Sequence, residues 1–272
     1  MIYPVFVLAG FVIGLFAGIL GIGGGVILVP FLAMIFKYYL GVQYEFMHFA
    51  AGTSLATMIF TATSSSLKNQ RQKRIDWDIF KQTVPWVLTG VIVSSFVAGM
   101  LSSTVLKIFF AILIFVMAVR MLLQFFAHRE EDQKNEYQQK NIPKYVSALL
   151  GSVIGMKSGL LGIGGGTISV PYMVNYKVPI KKATGTSSLF TLVIGIVGSL
   201  CFIYTGRNHH EFIPFSTGYV YWPAVLSIAP FSMISAWIGT SLAYKINRDT
   251  LRVIFIIFLF TAFIKILISF FT

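Results

Sequence analysis

Two stretches of this sequence place runs of glycine inside long apolar segments: GILGIGGGVILVP (Gly18–Pro30) and GLLGIGGGTISVP (Gly159–Pro171). Glycine in a helix interior costs about 1 kcal/mol against alanine, so such runs interrupt helices. In hydrocarbon every backbone N–H and C=O needs a partner, and irregular backbone is tolerated at depth only within protein or beside a water-filled cavity. A helix restarting near Val26 or Thr167 begins with amide donors that lack intrahelical acceptors and with a partial positive charge. Successive free amides make a nest for an anion. The glycines expected to supply it are Gly21, Gly23, Gly24 and Gly25 in the first run, and Gly162, Gly164, Gly165 and Gly166 in the second. A tight turn with no ligand is the competing reading. Neither run is followed by Gly-Lys-Ser/Thr or fits GxGxxG, which argues against nucleotide phosphates.

Hydroxyls recur in equivalent places. Ala-x-Gly-Thr-Ser occurs at Ala50–Ser54 and at Ala183–Ser187. Thr53, Ser54, Thr186 and Ser187, with Ser188 beside them, can donate to an anion's oxygens, or can bond back to helix carbonyls and cap a helix. Thr63–Ser66 form a further hydroxyl cluster. Lys157 is the one charge inside a glycine-broken segment, just ahead of its glycines, where the first half has Phe16. An ionisable residue at membrane depth is a functional candidate, and snorkelling is the alternative. His48 precedes the first Ala-x-Gly-Thr-Ser and Lys181 the second. His48 can couple protons near neutral pH or simply sit at the interface.

Acidic residues are missing from the deep positions: Glu45, Asp76, Asp78 and Asp249 all lie near segment ends. That tilts the substrate towards a small anion. There is no His-Glu-x-x-His, no cluster of metal ligands and no spaced Ser/His/Asp set, so an enzyme and a cofactor are not expected. His209 and His210, beside Glu211, read as a solvated loop. The single cysteine, Cys201, allows neither an internal disulfide nor a thiolate metal site.

The elements that must position these residues are membrane helices. Of 272 residues 56% are hydrophobic and 11% charged, and the mean hydropathy is +0.81. The net charge of +12 sits in short loops rather than on a basic face, which argues against a nucleic acid partner. Eight hydrophobic segments are visible, about Pro4–Phe36, Phe46–Leu67, Ile79–Leu101, Thr104–Phe126, Tyr145–Tyr176, Ala183–Tyr204, Tyr219–Ala243 and Leu251–Phe271. The two halves repeat one script, ending alike in LKIFFAILIFVMAVRML and LRVIFIIFLFTAFIKIL. The division is residues 1–127, a polar linker 128–144, and 145–272.

The first segment of each half is longer than a bilayer requires. Each is broken by GIGGG and expected to close at Pro30 or Pro171. If each folds back as a hairpin, the basic loops around Arg71, Arg129, Lys181 and Arg248 share one side. Only Lys37, Lys107 and Arg207 are left opposite. Straight spans would scatter the basic loops over both sides, so the hairpins obey the positive-inside rule better. The expected fold is an all-α polytopic membrane protein of two inverted repeats, each a re-entrant hairpin plus three transmembrane helices. Both termini are expected outside a cell membrane, with the linker in the cytoplasm.

Two copies of GxxxGxxGIGGGxxxVP (from Gly14 and from Gly155), each followed by Ala-x-Gly-Thr-Ser, resemble the TauE/SafE sulfite-exporter family of membrane permeases. The likeness covers nearly the whole chain. It implies a secondary transporter of sulfite, a sulfonate or another sulfur-containing anion, often moved outward. On this resemblance the family's motif glycines fall on Gly21, Gly23–Gly25, Gly162 and Gly164–Gly166, its prolines on Pro30 and Pro171, and its Gly-Thr-Ser on Gly52–Ser54 and Gly185–Ser187. Lys157 stands on the physical argument alone. A passive anion channel, or a membrane-embedded enzyme or assembly subunit, are the competing functions.

Overall fold

The computed structural model describes residues 3–20, 23–127, 142–208, 213–242 and 248–268. Gly21, linker residues 128–141 and the His209–Glu211 loop lie outside them. Ten α-helices are present among the described residues. The first half comprises α1 (Tyr3–Leu20), α2 (Gly25–Met34, continued by a π-helical turn Ile35–Tyr39), α3 (Phe46–Arg71), α4 (Trp77–Met100) and α5 (Ser103–Ala127). The second comprises α6 (Lys144–Leu161), α7 (Gly166–Asn175), α8 (Ile180–Thr205), α9 (Trp222–Leu242) and α10 (Arg248–Ile268).

The glycine breaks account for ten helices where eight apolar segments were expected. One departure from an all-α chain is small: β1 (Ser216–Thr217) pairs antiparallel with β2 (Val220–Tyr221) just before α9. It takes the start of the apolar segment expected to begin as helix at Tyr219. The prolines differ too. Pro30 and Pro171 lie inside α2 and α7 rather than closing them. There each removes the amide that would bond the carbonyl four residues back, Val26 or Thr167, loosening the helix next to its glycines.

Helix directions follow from the glycine contacts. A Cβ added to Gly10 would lie 2.7 Å from the Ile228 carbonyl oxygen, one on Gly14 2.6 Å from Ser232 Cα, and one on Gly18 3.0 Å from the Ala236 carbonyl carbon. Both chains advance by four residues together, so α1 runs parallel to α9 in close small-residue packing. Gly151, Gly155 and Gly159 of α6 meet the backbone of Thr83, Val87 and Val91 of α4 in the same way. The GxxxG residues therefore pack helices, and each does so against the opposite half of the chain.

α3 also runs parallel to α9: the Thr61 and Ser232 hydroxyls are 3.0 Å apart, and Lys68 Nζ donates to the Trp237 carbonyl at 2.6 Å. Since α1 and α3 share a direction, α2 and its π-helical turn must bring the chain back. The same holds for α7, because α6, α4 and α8 are parallel, with Phe80 stacked on Phe190 and Phe96 against Tyr204. The first and fifth apolar segments are fold-backs, not straight spans.

Among the described residues four helices are long and apolar enough to cross a membrane: α4, α5 over Ser103–Leu123, α8 and α9. α3 is as long as α8, but its sequence, FMHFAAGTSLATMIFTATSSSLKNQR, is too polar to count among them. Its position explains this. Thr53, Ser54, Thr57, Thr61, Ser64, Ser65 and Ser66 are all buried, so protein rather than lipid surrounds the helix. It lies antiparallel to α8, with Gly195 against the Leu55 carbonyl and Ser66 Oγ bonded to Ser188 Oγ at 3.1 Å.

Replacing Gly155 by alanine drives a methyl into the α4 backbone, and overpacking of this kind costs about 1–3 kcal/mol. Thermal unfolding of the purified protein is expected to fall accordingly. Val153→Ala, on the exposed side of α6, is expected to stay within about 0.5 kcal/mol of the wild type.

Candidate functional site

The two glycine breaks meet each other. Gly23 and Gly24 adopt φ +80° and +73°, a region open to glycine at little cost. The Gly24 carbonyl then accepts from Ile27 and Leu28 N–H, both at 3.0 Å, starting α2. In the second break Gly162 has φ +70° and donates its N–H to the Ser158 carbonyl at 2.9 Å, closing α6. The Gly165 carbonyl accepts from Ile168 at 3.3 Å and Ser169 at 3.1 Å to start α7. A Cβ on Gly25 would lie 2.6 Å from the Gly162 carbonyl oxygen and 2.9 Å from Ile163 Cα. The helix restarts fall within one residue of the positions expected from the sequence.

The surroundings are close-packed in this conformation. Gly23 abuts Thr191 of α8 and Met58 of α3, Gly24 abuts Ile13 of α1, and Gly162 abuts Ala51 of α3. Gly165 lies against Ile194 and Phe190 of α8, and Gly166 opens α7, buried. No gap the size of an oxyanion separates Gly25 from Gly162.

The Gly-Thr-Ser motifs are interlocks. Thr53 Oγ1 accepts the Tyr221 N–H at 3.0 Å, and Thr186 Oγ1 accepts the Asp76 N–H at 2.9 Å. Tyr221 and Asp76 immediately precede α9 and α4. Each threonine thus receives the residue that leads into a helix of the other half. The preceding glycine makes room: Gly52 faces the Tyr219 carbonyl and Gly185 the Arg74 carbonyl. The serines turn to the fold-backs. Ser54 donates to the Gly162 carbonyl at 2.9 Å, and Ser187 accepts from Ser169 of α7 at 2.9 Å. All four motif hydroxyl residues are wholly buried.

Lys157 does not snorkel. It is buried in α6, and its ammonium donates to the Gly164 carbonyl at 2.9 Å and to Thr167 Oγ1. Both acceptors are neutral, and both lie where α7 begins. Lys157 thus stands where α6 ends and α7 begins, between the negative end of one helix and the positive end of the other. The first half has no equivalent, since Phe16 occupies the matching position.

His48 lies apart from the glycine breaks, at the start of α3. Its Nε2 faces the Ala98 carbonyl at 2.9 Å, which can only accept, so Nε2 carries the proton; Nδ1 lies 3.2 Å from Ser103 Oγ. The ring packs 4.9 Å from Tyr219, whose hydroxyl donates to Glu45 at 3.1 Å. His48 joins α3 to the α4–α5 turn from a buried position, not an interfacial one. The Thr63–Ser66 hydroxyls serve packing: Thr63 and Ser65 bond back along α3, and Ser64 donates to the Met233 carbonyl at 2.8 Å.

Sequence reasoning passed over Asn69, buried near the end of α3. Its Nδ2 donates to Ser188 Oγ at 3.3 Å and its Oδ1 has no acceptor role filled. The signal was available in the polarity of a helix otherwise read as a membrane span. Among the described residues no group of three or more His, Cys, Asp or Glu is placed to hold a metal.

The family model for "Sulfite exporter TauE/SafE" matches residues 6–266. The chain belongs to the TauE/SafE family. A probable membrane transporter protein of Haemophilus influenzae is 30% identical over 262 residues, covering 96% of this chain and 97% of the relative. One from Methanocaldococcus jannaschii is 28% identical, covering 93% and 91%, and YunE of Bacillus subtilis, also a probable membrane transporter protein, is 26% identical, covering 91% and 89%. No solved structure matches the chain. Family membership and the apolar helices together make this a multi-pass membrane protein.

In this TauE/SafE protein, Thr186→Val removes the acceptor of the part-buried Asp76 N–H and is expected to cost about 0.5–1.5 kcal/mol, read as a lower unfolding temperature. Thr186→Ser, which keeps the hydroxyl, is expected to recover most of it. Thr53→Val and Thr53→Ser are expected to behave alike at Tyr221.

Proposed function

We propose that this family member is a secondary transporter of a small anion, a sulfur oxyanion or an organosulfonate, working by alternating access in the cell membrane. The observation that carries the reading is Lys157. A buried ammonium held by two neutral oxygens at the positive end of α7 is electrostatically incomplete, and a bound anion completes it. The anion is taken beside the start of α7 when the fold-backs part, with amides of Gly164, Gly165 and Gly166 as donors. The opposing break, Gly23–Gly25, and the hydroxyls of Thr53, Ser54, Thr186 and Ser187 form the remaining wall. The close-packed arrangement is then the closed state of the cycle.

Several features support two inverted halves. The equivalent helices α3 and α8 run antiparallel, and α1 pairs with α9 as α6 pairs with α4. Broken helices from inverted halves that meet inside the bilayer are a recurring transporter site. The basic loop after α3 supports a cytoplasmic linker and outside termini. The relatives' printed names, probable membrane transporter protein, agree with transport. The sulfur chemistry comes from the family's own name.

A screen of the purified protein by thermal unfolding tests the ligand class. Sulfite, sulfate, thiosulfate and methanesulfonate are compared with chloride at equal ionic strength. An anion present at a hundred times its dissociation constant stabilises the folded state by about 2.7 kcal/mol. A shift confined to sulfur anions is expected; equal shifts with chloride would count against the assignment.

Lys157→Met tests the site. Loss of a charge-assisted contact worth roughly 1.5–3 kcal/mol corresponds to about ten- to a hundredfold weaker binding. Saturable uptake into proteoliposomes is expected to fall by that factor while the variant remains folded. Unaltered saturable uptake in Lys157→Met would move the site away from α7.

A further inference from the structure

A second feature, remote in chemistry from the glycine breaks, lies at the opposite end of α3 from Lys68 and Arg71. A cavity of about 520 Å³ opens between α1, α2, the first turns of α3 and α5, and the last turns of α10. Three lysines from three separate elements line it: Lys37 of the π-helical turn, Lys107 of α5 and Lys265 of α10. Apart from these, Tyr38 and Thr261, every lining residue is apolar, and none is acidic. Glu45, at the same end of α3, accepts the Tyr219 hydroxyl.

The arrangement is amphipathic along its depth. The lysines come from the start of α5, the end of α10 and the turn after α2, which are all at one end of the bundle. Beneath them the walls are Val12, Ile27, Pro30 and Phe110. Tyr38, Tyr39 and Tyr44 at that end are well exposed, and exposed tyrosines gather at the headgroup level of a bilayer. Lys37 lies over the rings of Tyr38 and Phe46, 5.1 and 5.9 Å from their centres. The cations therefore stand at headgroup depth and the apolar cleft below them at acyl-chain depth. A small free anion would match the lysines and leave the apolar cleft unfilled. A zwitterionic lipid would match the cleft and leave the charge.

We propose that this cleft is a binding site for an anionic phospholipid, its phosphate among Lys37, Lys107 and Lys265 and one acyl chain between α1, α2 and α10. The lipid fills the seam between the last helix and the first fold-back. Two of the three lysines, Lys37 and Lys107, are bases that the positive-inside pattern leaves on the sparsely charged side, and the site gives them a reason to be there.

The test uses the full chain in neutral detergent, titrated with phosphatidylglycerol or phosphatidylcholine and read by native mass spectrometry. Phosphatidylglycerol is expected to bind more tightly than phosphatidylcholine. Each of Lys37→Gln, Lys107→Gln and Lys265→Gln is expected to weaken it roughly fivefold, the contribution of one lysine near an anionic surface. Lys107→Arg is expected to keep the preference. Val12→Trp, which fills the cleft and retains all three lysines, is expected to lose both lipids. Each variant is checked by size exclusion and its unfolding temperature. Inorganic phosphate and glycerol 1-phosphate, added at millimolar concentration, are expected not to displace the lipid. Equal affinity for the two lipids, an undiminished preference in the double variant Lys107→Gln/Lys265→Gln, or displacement by inorganic phosphate would each overturn the proposal. The readout is independent of transport, so its failure leaves the anion site at α7 untouched.

Discussion

The structure turns on keeping interrupted backbone away from lipid. Two helix breaks, rich in glycine and placed within apolar sequence, carry polar groups that hydrocarbon cannot satisfy. The molecule meets this by pressing the breaks against each other, Gly25 on Gly162, and enclosing them between α3 and α8. Glycine is needed because a side chain at Gly25 or Gly162 would collide with backbone from another element. Ser54 adds a hydroxyl to the Gly162 carbonyl, and Lys157 an ammonium to that of Gly164.

Enclosing such a centre requires helices that are themselves polar inside. α3 supplies a column of hydroxyls, many bonded back along the helix and others reaching across to α8 and α9. Each Gly-Thr-Ser does two tasks at once. Its threonine takes the amide leading into a helix of the other half, and its serine faces a fold-back. Movement of a fold-back is thereby tied mechanically to the helix joint beside it.

Much of this plan can be read in the sequence. The duplicated motifs, the helix restarts near Val26 and Thr167 and the packing role of GxxxG all follow from local chemistry. What could not be read are the partners. Nothing near Gly14 names Ser232, and nothing near Thr186 names Asp76, because those contacts join residues far apart in the chain. The sequence offered capping as one reading of Thr53 and Thr186; the helices concerned turn out to belong to the other half. Pro30 and Pro171 mislead because a proline in the second turn of a helix looks like a stop when the start is marked only by glycine. The burial of His48 was also out of reach, since its carbonyl partner comes from the end of α4.

The crossed pairing of α1 with α9 and of α6 with α4 has a consequence for biogenesis. As the chain emerges, α1 waits for more than two hundred residues before its partner exists, while α4 gains its own from the start of the second half. Contacts of such sequence separation are slow to form and leave surfaces uncovered meanwhile. The first half is therefore not a module that matures alone. It is a clasp left open until α9 has been made.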